Sequence, residues 1–116
     1  MKSDHVILMV GINCPPKNDQ RFNEWYEDEH IPSLFKYKGI KKLTRFSILE
    51  GANQNYKNTE YPRYLAIYSF ENEKTLRNFI ESPEFIAARK EAVKEWGEEG
   101  LERYWWTYYK ELRTWQ

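Results

Sequence analysis

Val6-Ile7-Leu8-Met9-Val10-Gly11-Ile12-Asn13 is apolar without the three- and four-residue gaps of an amphipathic helix. It reads as a strand over His5 to Asn13, ended by Pro15 and Pro16, neither of which can donate to a ladder. In a strand, Val6, Leu8, Val10 and Ile12 face one way while Ile7 and Met9 face the other. Both sets are apolar. An antiparallel sheet with one wet face alternates apolar and polar residues, so this strand belongs to a sheet that is covered on both sides.

Downstream, Asp19 is placed as a helix N-cap. Phe22, Trp25, Tyr26 and Glu29 recur at helical spacing, and the helix is expected to run to about Phe35 with a bend or break near Pro32. Gly39 stands where a left-handed C-cap is expected. Ile40 to Glu50 reads as a second strand, the polar stretch from Gly51 to Glu60 as a long loop, and Arg63 to Phe70 as a third strand. Glu73 to Ile80 puts Leu76, Phe79 and Ile80 on one helical face. Ser82-Pro83 then restarts a helix in the N-cap and N1 arrangement. Its stripe is Phe85, Ala88, Ala92 and Trp96, closed by Gly97 or Gly100. Leu101 to Arg113, dense in aromatic residues, suits a last strand.

The order strand, helix, strand, strand, helix, strand predicts an α+β, ferredoxin-like βαββαβ fold, with a four-stranded antiparallel sheet and both helices on one face. Strands three and four repeat the two-sided pattern: Tyr64, Ala66, Tyr68 and Phe70 oppose Leu65 and Ile67, and Tyr104, Trp106 and Tyr108 oppose Trp105 and Tyr109. Helices cover one face only. The other leaves roughly 300–400 Å² of apolar surface in projection, the size of an interface or ligand site. A second copy packed sheet to sheet about a two-fold axis is the expected solution. In a monomer, tyrosine hydroxyls would have to make that face tolerable.

Length and composition fit one domain spanning 1–116, since 116 residues leave no room for a second core. The 17% aromatic share exceeds what a small core needs and points to an interface or a flat ligand. Eighteen basic and eighteen acidic residues cancel, with no basic stripe, so nucleic acid is not an expected partner. The apolar run from Val6 to Val10 falls far short of the ~20 residues that span a bilayer, so no membrane partner is expected. Met1 to His5 leads into that run without a signal-peptide cleavage region, and Cys14 is the single cysteine. Cytoplasmic residence is therefore expected. No His/Cys pair has metal-ligand spacing and no glycine-rich phosphate loop occurs, so neither metal nor cofactor is expected.

The stretch Phe22-Asn23-Glu24-Trp25-Tyr26-Glu27-Asp28-Glu29-His30-Ile31-Pro32, followed by Gly39-Ile40 and Arg45-Phe46, resembles the EthD-like family of the dimeric α+β barrel superfamily. Glu81-Ser82-Pro83-Glu84-Phe85 is similar to the second-helix start common in that superfamily. The resemblance implies a homodimer with a barrel-like core and, in each subunit, a pocket between sheet and helices. Its members include cofactor-free monooxygenases, muconolactone-type isomerases, polyketide dehydratases or decarboxylases, and haem-binding enzymes. Membership constrains the fold far more than the reaction.

His30 is the first candidate for chemistry, as a general acid/base in a cofactor-independent isomerisation, dehydration or decarboxylation of an apolar or aromatic carbonyl compound. It stands four residues past Tyr26, on the same side, and occupies the Glu-His position of EthD-like sequences. The structural alternative is a histidine capping helix C-terminal carbonyls. Glu29 falls, at about 100° per residue, on the stripe facing the sheet, where a carboxylate must be paired or protonated; otherwise it reaches solvent or Arg45. Arg45 could hold a substrate oxygen, or pair with Glu29 or with a carboxylate across the dimer. Trp25, Tyr64, Tyr68, Trp106 and Tyr108 are candidates for lining a substrate cavity, or else for packing. Two further readings stay open: a non-catalytic metabolite binder or accessory protein, and a haem protein with His30 as axial ligand. His5, at a strand start, is expected to face solvent, and Cys14 lacks a partner for nucleophilic work.

Overall fold

A computed structural model describes residues 4–49, 61–97 and 103–116. Four strands, β1 (Val6–Asn13), β2 (Ile40–Ser47), β3 (Tyr64–Phe70) and β4 (Arg103–Lys110), form one sheet in the order β2-β3-β1-β4. Every neighbouring pair is antiparallel. The helices α1 (Asp19–Trp25), α2 (Ile31–Leu34), α3 (Glu73–Ile80) and α4 (Pro83–Trp96) supply the rest. This is the predicted ferredoxin-like arrangement. The predicted polar loop, Gly51 to Glu60, and the alternative helix end at Gly100 lie outside the described residues.

The two-sided pattern of β1 becomes two environments. Val6, Leu8, Val10 and Ile12 are buried on the helix face, whereas Ile7 and Met9 are only half-buried. Register carries the pattern across the sheet: Ala66 and Trp106 flank Val10, and Tyr68 and Tyr108 flank Leu8. Phe22, Tyr26, Phe70 and Phe79 fill the space between sheet and helices. The outer face carries Phe46, Leu65, Trp105 and, one row on, Ile67 opposite Met9. Trp105 lies so close to Gly11 that a β-carbon there would fall 2.5 Å from its ring, so only glycine admits the indole.

The caps of α3 and α4 follow the sequence. Asn72 Oδ1 accepts from the Thr75 backbone N–H at 2.9 Å. Ser82 Oγ accepts from the Phe85 N–H at 3.2 Å and donates to the Phe79 carbonyl at 2.6 Å. Gly97, at φ +62°, closes α4 in the region that favours glycine. Four expectations need correction. Asp19 is the first residue of α1 rather than its N-cap, because its carboxylate turns instead toward the Tyr64 hydroxyl and Arg63. Gly39 has no left-handed backbone; its lack of a β-carbon makes room for Tyr37 and Thr75, 2.5 and 2.6 Å from where that atom would sit. β2 stops at Ser47 and β4 at Lys110, short of Glu50 and Arg113. Of the bend or break expected near Pro32, the break is absent: the helical run continues through Pro32 to Leu34.

Candidate functional site

Pro32 has no N–H to give to the Asp28 carbonyl, and its ring would crowd that carbonyl in a regular helix. The chain avoids the clash with a π-helical segment, Tyr26–His30, in which the Ile31 N–H bonds to the Tyr26 carbonyl. Each residue in this wider turn advances by a smaller angle, so residues five apart come onto one side. Trp25 and His30 therefore stack, with ring centroids 4.7 Å apart and planes 22° from parallel. The edge of His30 also meets Tyr26, at 5.0 Å and 63°. The same change of phase carries Glu29 out to solvent. That corrects its predicted place against the sheet; the solvent alternative holds.

A cavity of about 310 Å³ lies between this helix, α4 and the sheet. Its floor is Leu8, Val10 and Ile12 of β1, with Leu34 and the Tyr26 and Tyr68 rings. His30 and Trp25 form one wall, Phe85 and Trp106 the other, and Arg89, Val93 and Gly97 stand at the mouth.

His30 makes no hydrogen bond to any described residue, so its ring nitrogens are open to a ligand and it caps no helix end. Burial lowers its pKa from 6.5 to about 4, so the ring is neutral at neutral pH. The unfolded chain protonates this group near 6.5 and the folded chain only near 4. Its contribution to stability is therefore complete above pH 6.5 and lost as pH falls through that window, amounting at most to about 3 kcal/mol. Urea titrations at neutral and acid pH should show a loss that is largely absent in His30→Gln. Identical pH profiles for the two proteins would rule this out.

The Tyr26 and Tyr68 hydroxyls are 2.9 Å apart and buried. Burial raises the Tyr26 pKa, against smaller opposing effects of the Tyr68 hydrogen bond and the Arg45 charge, so the phenol stays protonated. Arg45 is on the far side of Tyr26 and does not line the cavity. It donates to Glu27 and Asn23, both at 2.8 Å, with its guanidinium 4.5 Å from the Tyr26 ring. The expected Arg45–Glu29 pair is thus replaced by Arg45–Glu27. Tyr64 also lies outside the cavity, bonded to Asp19 and accepting from Asn23 at 3.0 Å. Tyr108 shares the alternation of Trp106 but is 45% exposed, near Leu76 and Ile80. The predicted set thus divides. Trp25, Tyr26, His30, Tyr68 and Trp106 share the cavity, while Glu29, Arg45, Tyr64 and Tyr108 do not. His5 is not simply solvent-facing: its Nδ1 is 3.1 Å from Glu111 Oε1.

A family model described as a domain of unknown function, DUF4286, matches residues 5–104. The chain belongs to the DUF4286 family. No curated protein matches this DUF4286 chain in sequence. Solved structures are similar to it in fold. An EthD family protein from Bacillus halodurans is 18% identical, with 93% of this chain and 99% of that one covered, at a TM-score of 0.68. SnoaB, a cofactor-independent oxygenase from Streptomyces nogalater solved as a mutant, is 12% identical, with 97% of each chain covered and a TM-score of 0.65. A dimeric protein of unknown function with a ferredoxin-like fold from Bacteroides fragilis is 16% identical over 95% of this chain and 99% of that one, at a TM-score of 0.63. The EthD-like resemblance read from the first helix thus holds for the fold of this DUF4286 protein.

Leu34, Val93 and Arg89 of the DUF4286 cavity escaped the sequence reading, and Arg89 is the charged one among them. Arg89 follows Phe85 by four and precedes Ala92 by three, which puts it at the edge of the α4 stripe. That spacing was the available signal. A charged side chain beside an apolar stripe usually covers its rim and nothing more.

Proposed function

We propose that this protein is a homodimeric binder of a small, planar apolar or aromatic carbonyl compound, and a cofactor-independent isomerase or lyase with His30 as its base. One observation carries the reading: a neutral imidazole with unbonded ring nitrogens faces a cavity whose other walls are aromatic. The base takes a proton from the carbon beside the substrate carbonyl. With Tyr68 donating to Tyr26, the Tyr26 O–H is left to donate to the carbonyl oxygen. His30 then returns the proton at the neighbouring position in an isomerisation. Trp25 and Trp106 hold the flat body of the substrate between the walls. SnoaB has the same fold and works without a cofactor, which supports reaction classes that need none. A cavity of about 310 Å³ is at the lower end for small-molecule sites and too small for a porphyrin, so haem fits poorly.

The test is His30→Ala against a substrate found by screening. Turnover is expected to fall by roughly a hundredfold or more, with binding of the substrate changed only a few-fold. Full turnover in the variant refutes the base. The binder reading has its own support, because an imidazole with a pKa of about 4 is a weak base and a good hydrogen-bond acceptor. Compounds that bind the wild type tightly and are never converted would favour it.

The dimer reading rests on the outer sheet face. Phe46, Trp105 and Tyr109 are 49%, 38% and 53% exposed there, around the half-buried Ile7, Met9, Leu65 and Ile67. That largely apolar surface, interrupted by Thr44, Thr107 and Lys42, fits a second copy of itself about a two-fold axis.

A further inference from the structure

We infer that the ligand is an organic anion, with its carboxylate held by Arg89 at the mouth of the cavity and its flat apolar body inside; this rests on the small-molecule reading of that cavity. Among the described lining residues Arg89 is the sole cation, and no aspartate or glutamate is present. Its guanidinium lies 4.4 Å from the Trp106 ring and 5.9 Å from Phe85, stacked on the aromatic wall.

Three other arginines are neutralised by acids, while Arg113 lies over the Trp115 ring at 5.1 Å. Arg21 pairs with Glu95 at 2.6 Å, Arg45 with Glu27 at 2.8 Å, and Arg77 with Glu73 at 2.7 Å. Arg89 has no hydrogen bond or ion pair with a described residue, in a chain whose acids are as numerous as its bases. A guanidinium stacked on an indole keeps its in-plane N–H fork open, and that fork matches a carboxylate with two parallel hydrogen bonds.

Position explains why the charge is useful there. The mouth is wet, so a carboxylate meeting Arg89 gives up little hydration, whereas beside Leu8, Val10 and Leu34 a charged group would lose its hydration without compensation. A ligand anchored this way enters in one orientation, with its uncharged end toward His30 and Tyr26. The volume suits one ring or two fused rings.

The probes are naphthalene-carboxylate and its uncharged carboxamide, titrated calorimetrically into the full chain near physiological ionic strength to suppress non-specific charge effects. The wild type is expected to prefer the acid by about tenfold or more, and Arg89→Gln to abolish that preference while binding the amide as before. Equal affinity for the two probes, or a preference that survives Arg89→Gln, overturns the anion assignment and leaves the pocket reading standing. In that case Arg89 only covers Trp106. Failure of both probes to bind overturns the pocket reading and the assignment with it.

Discussion

Truncation of Phe79 to alanine is expected to cost about 3–5 kcal/mol of folding free energy. Phe79 is fully buried on α3, and four other rings surround it. The centroids of Phe85, Tyr37, Phe70 and Tyr68 lie 4.8, 5.2, 5.3 and 6.2 Å away. These neighbours come from α4, β3 and the turn after α2, so the single ring joins two parts of the helical layer to the sheet. Collapse into the vacated space is hindered because the Tyr37 hydroxyl is tied to the Thr75 carbonyl at 3.0 Å and the Tyr68 hydroxyl to Tyr26. With total stabilities of roughly 5–15 kcal/mol for such domains, the loss is a large part of the whole. Urea unfolding at fixed protein concentration measures it, since a dimer makes apparent stability depend on concentration. A loss below about 1 kcal/mol would mean that the aromatic cluster does not pack as described.

The second large effect is expected from Ile67→Glu. Ile67 is on β3, in the middle of the outer face, opposite Met9 on one side and Thr44 on the other. Two-fold symmetry would bring one glutamate from each subunit into the interface, with Lys42 of the same face one row away on β2. A buried charge that is not fully compensated costs up to about 3–5 kcal/mol, so the dimer dissociation constant should rise roughly a hundredfold or more. Sedimentation or light scattering across a protein dilution series reads this directly, and circular dichroism checks that the monomer keeps its fold. A wild type that is monomeric at every concentration refutes the sheet-to-sheet dimer, and so does a variant that dimerises unchanged. His30→Ala provides a control, because it changes the cavity on the opposite face of the sheet and should leave the association state alone.

Strand and helix identities were legible because period and punctuation agreed along the chain. Val6 to Ile12 has no helical gap, Ser82-Pro83 announces α4, and Gly97 ends it. The alternation classes in β1, β3 and β4 also predicted which side chains share a face, and register confirms them row by row. His30, Tyr26 and Trp25 came from residue type and spacing in the first helix, and Tyr68 and Trp106 from alternation. All five meet at the cavity.

The errors at the site come from one local event and one long-range one. Glu29 was placed by counting about 100° per residue, which fails where Pro32 forces a π-helical turn; the proline was visible, but a break and a widened turn are both available responses to it. Arg45 and Tyr64 were drawn to a different side of Tyr26 by Asn23, Glu27 and Asp19, residues 18 to 45 positions away along the chain. The amino-acid sequence by itself determined the order of elements, the sheet face on which each strand residue lies and the chemistry available to the first helix, because these depend on backbone periodicity and local capping. The tertiary structure decided which of those side chains surround one cavity, that His30 is half-buried and unbonded, and that Arg89 stands over Trp106. Such outcomes depend on the distance between α4, the first helix and β4, and that distance is set by the volumes packed between them.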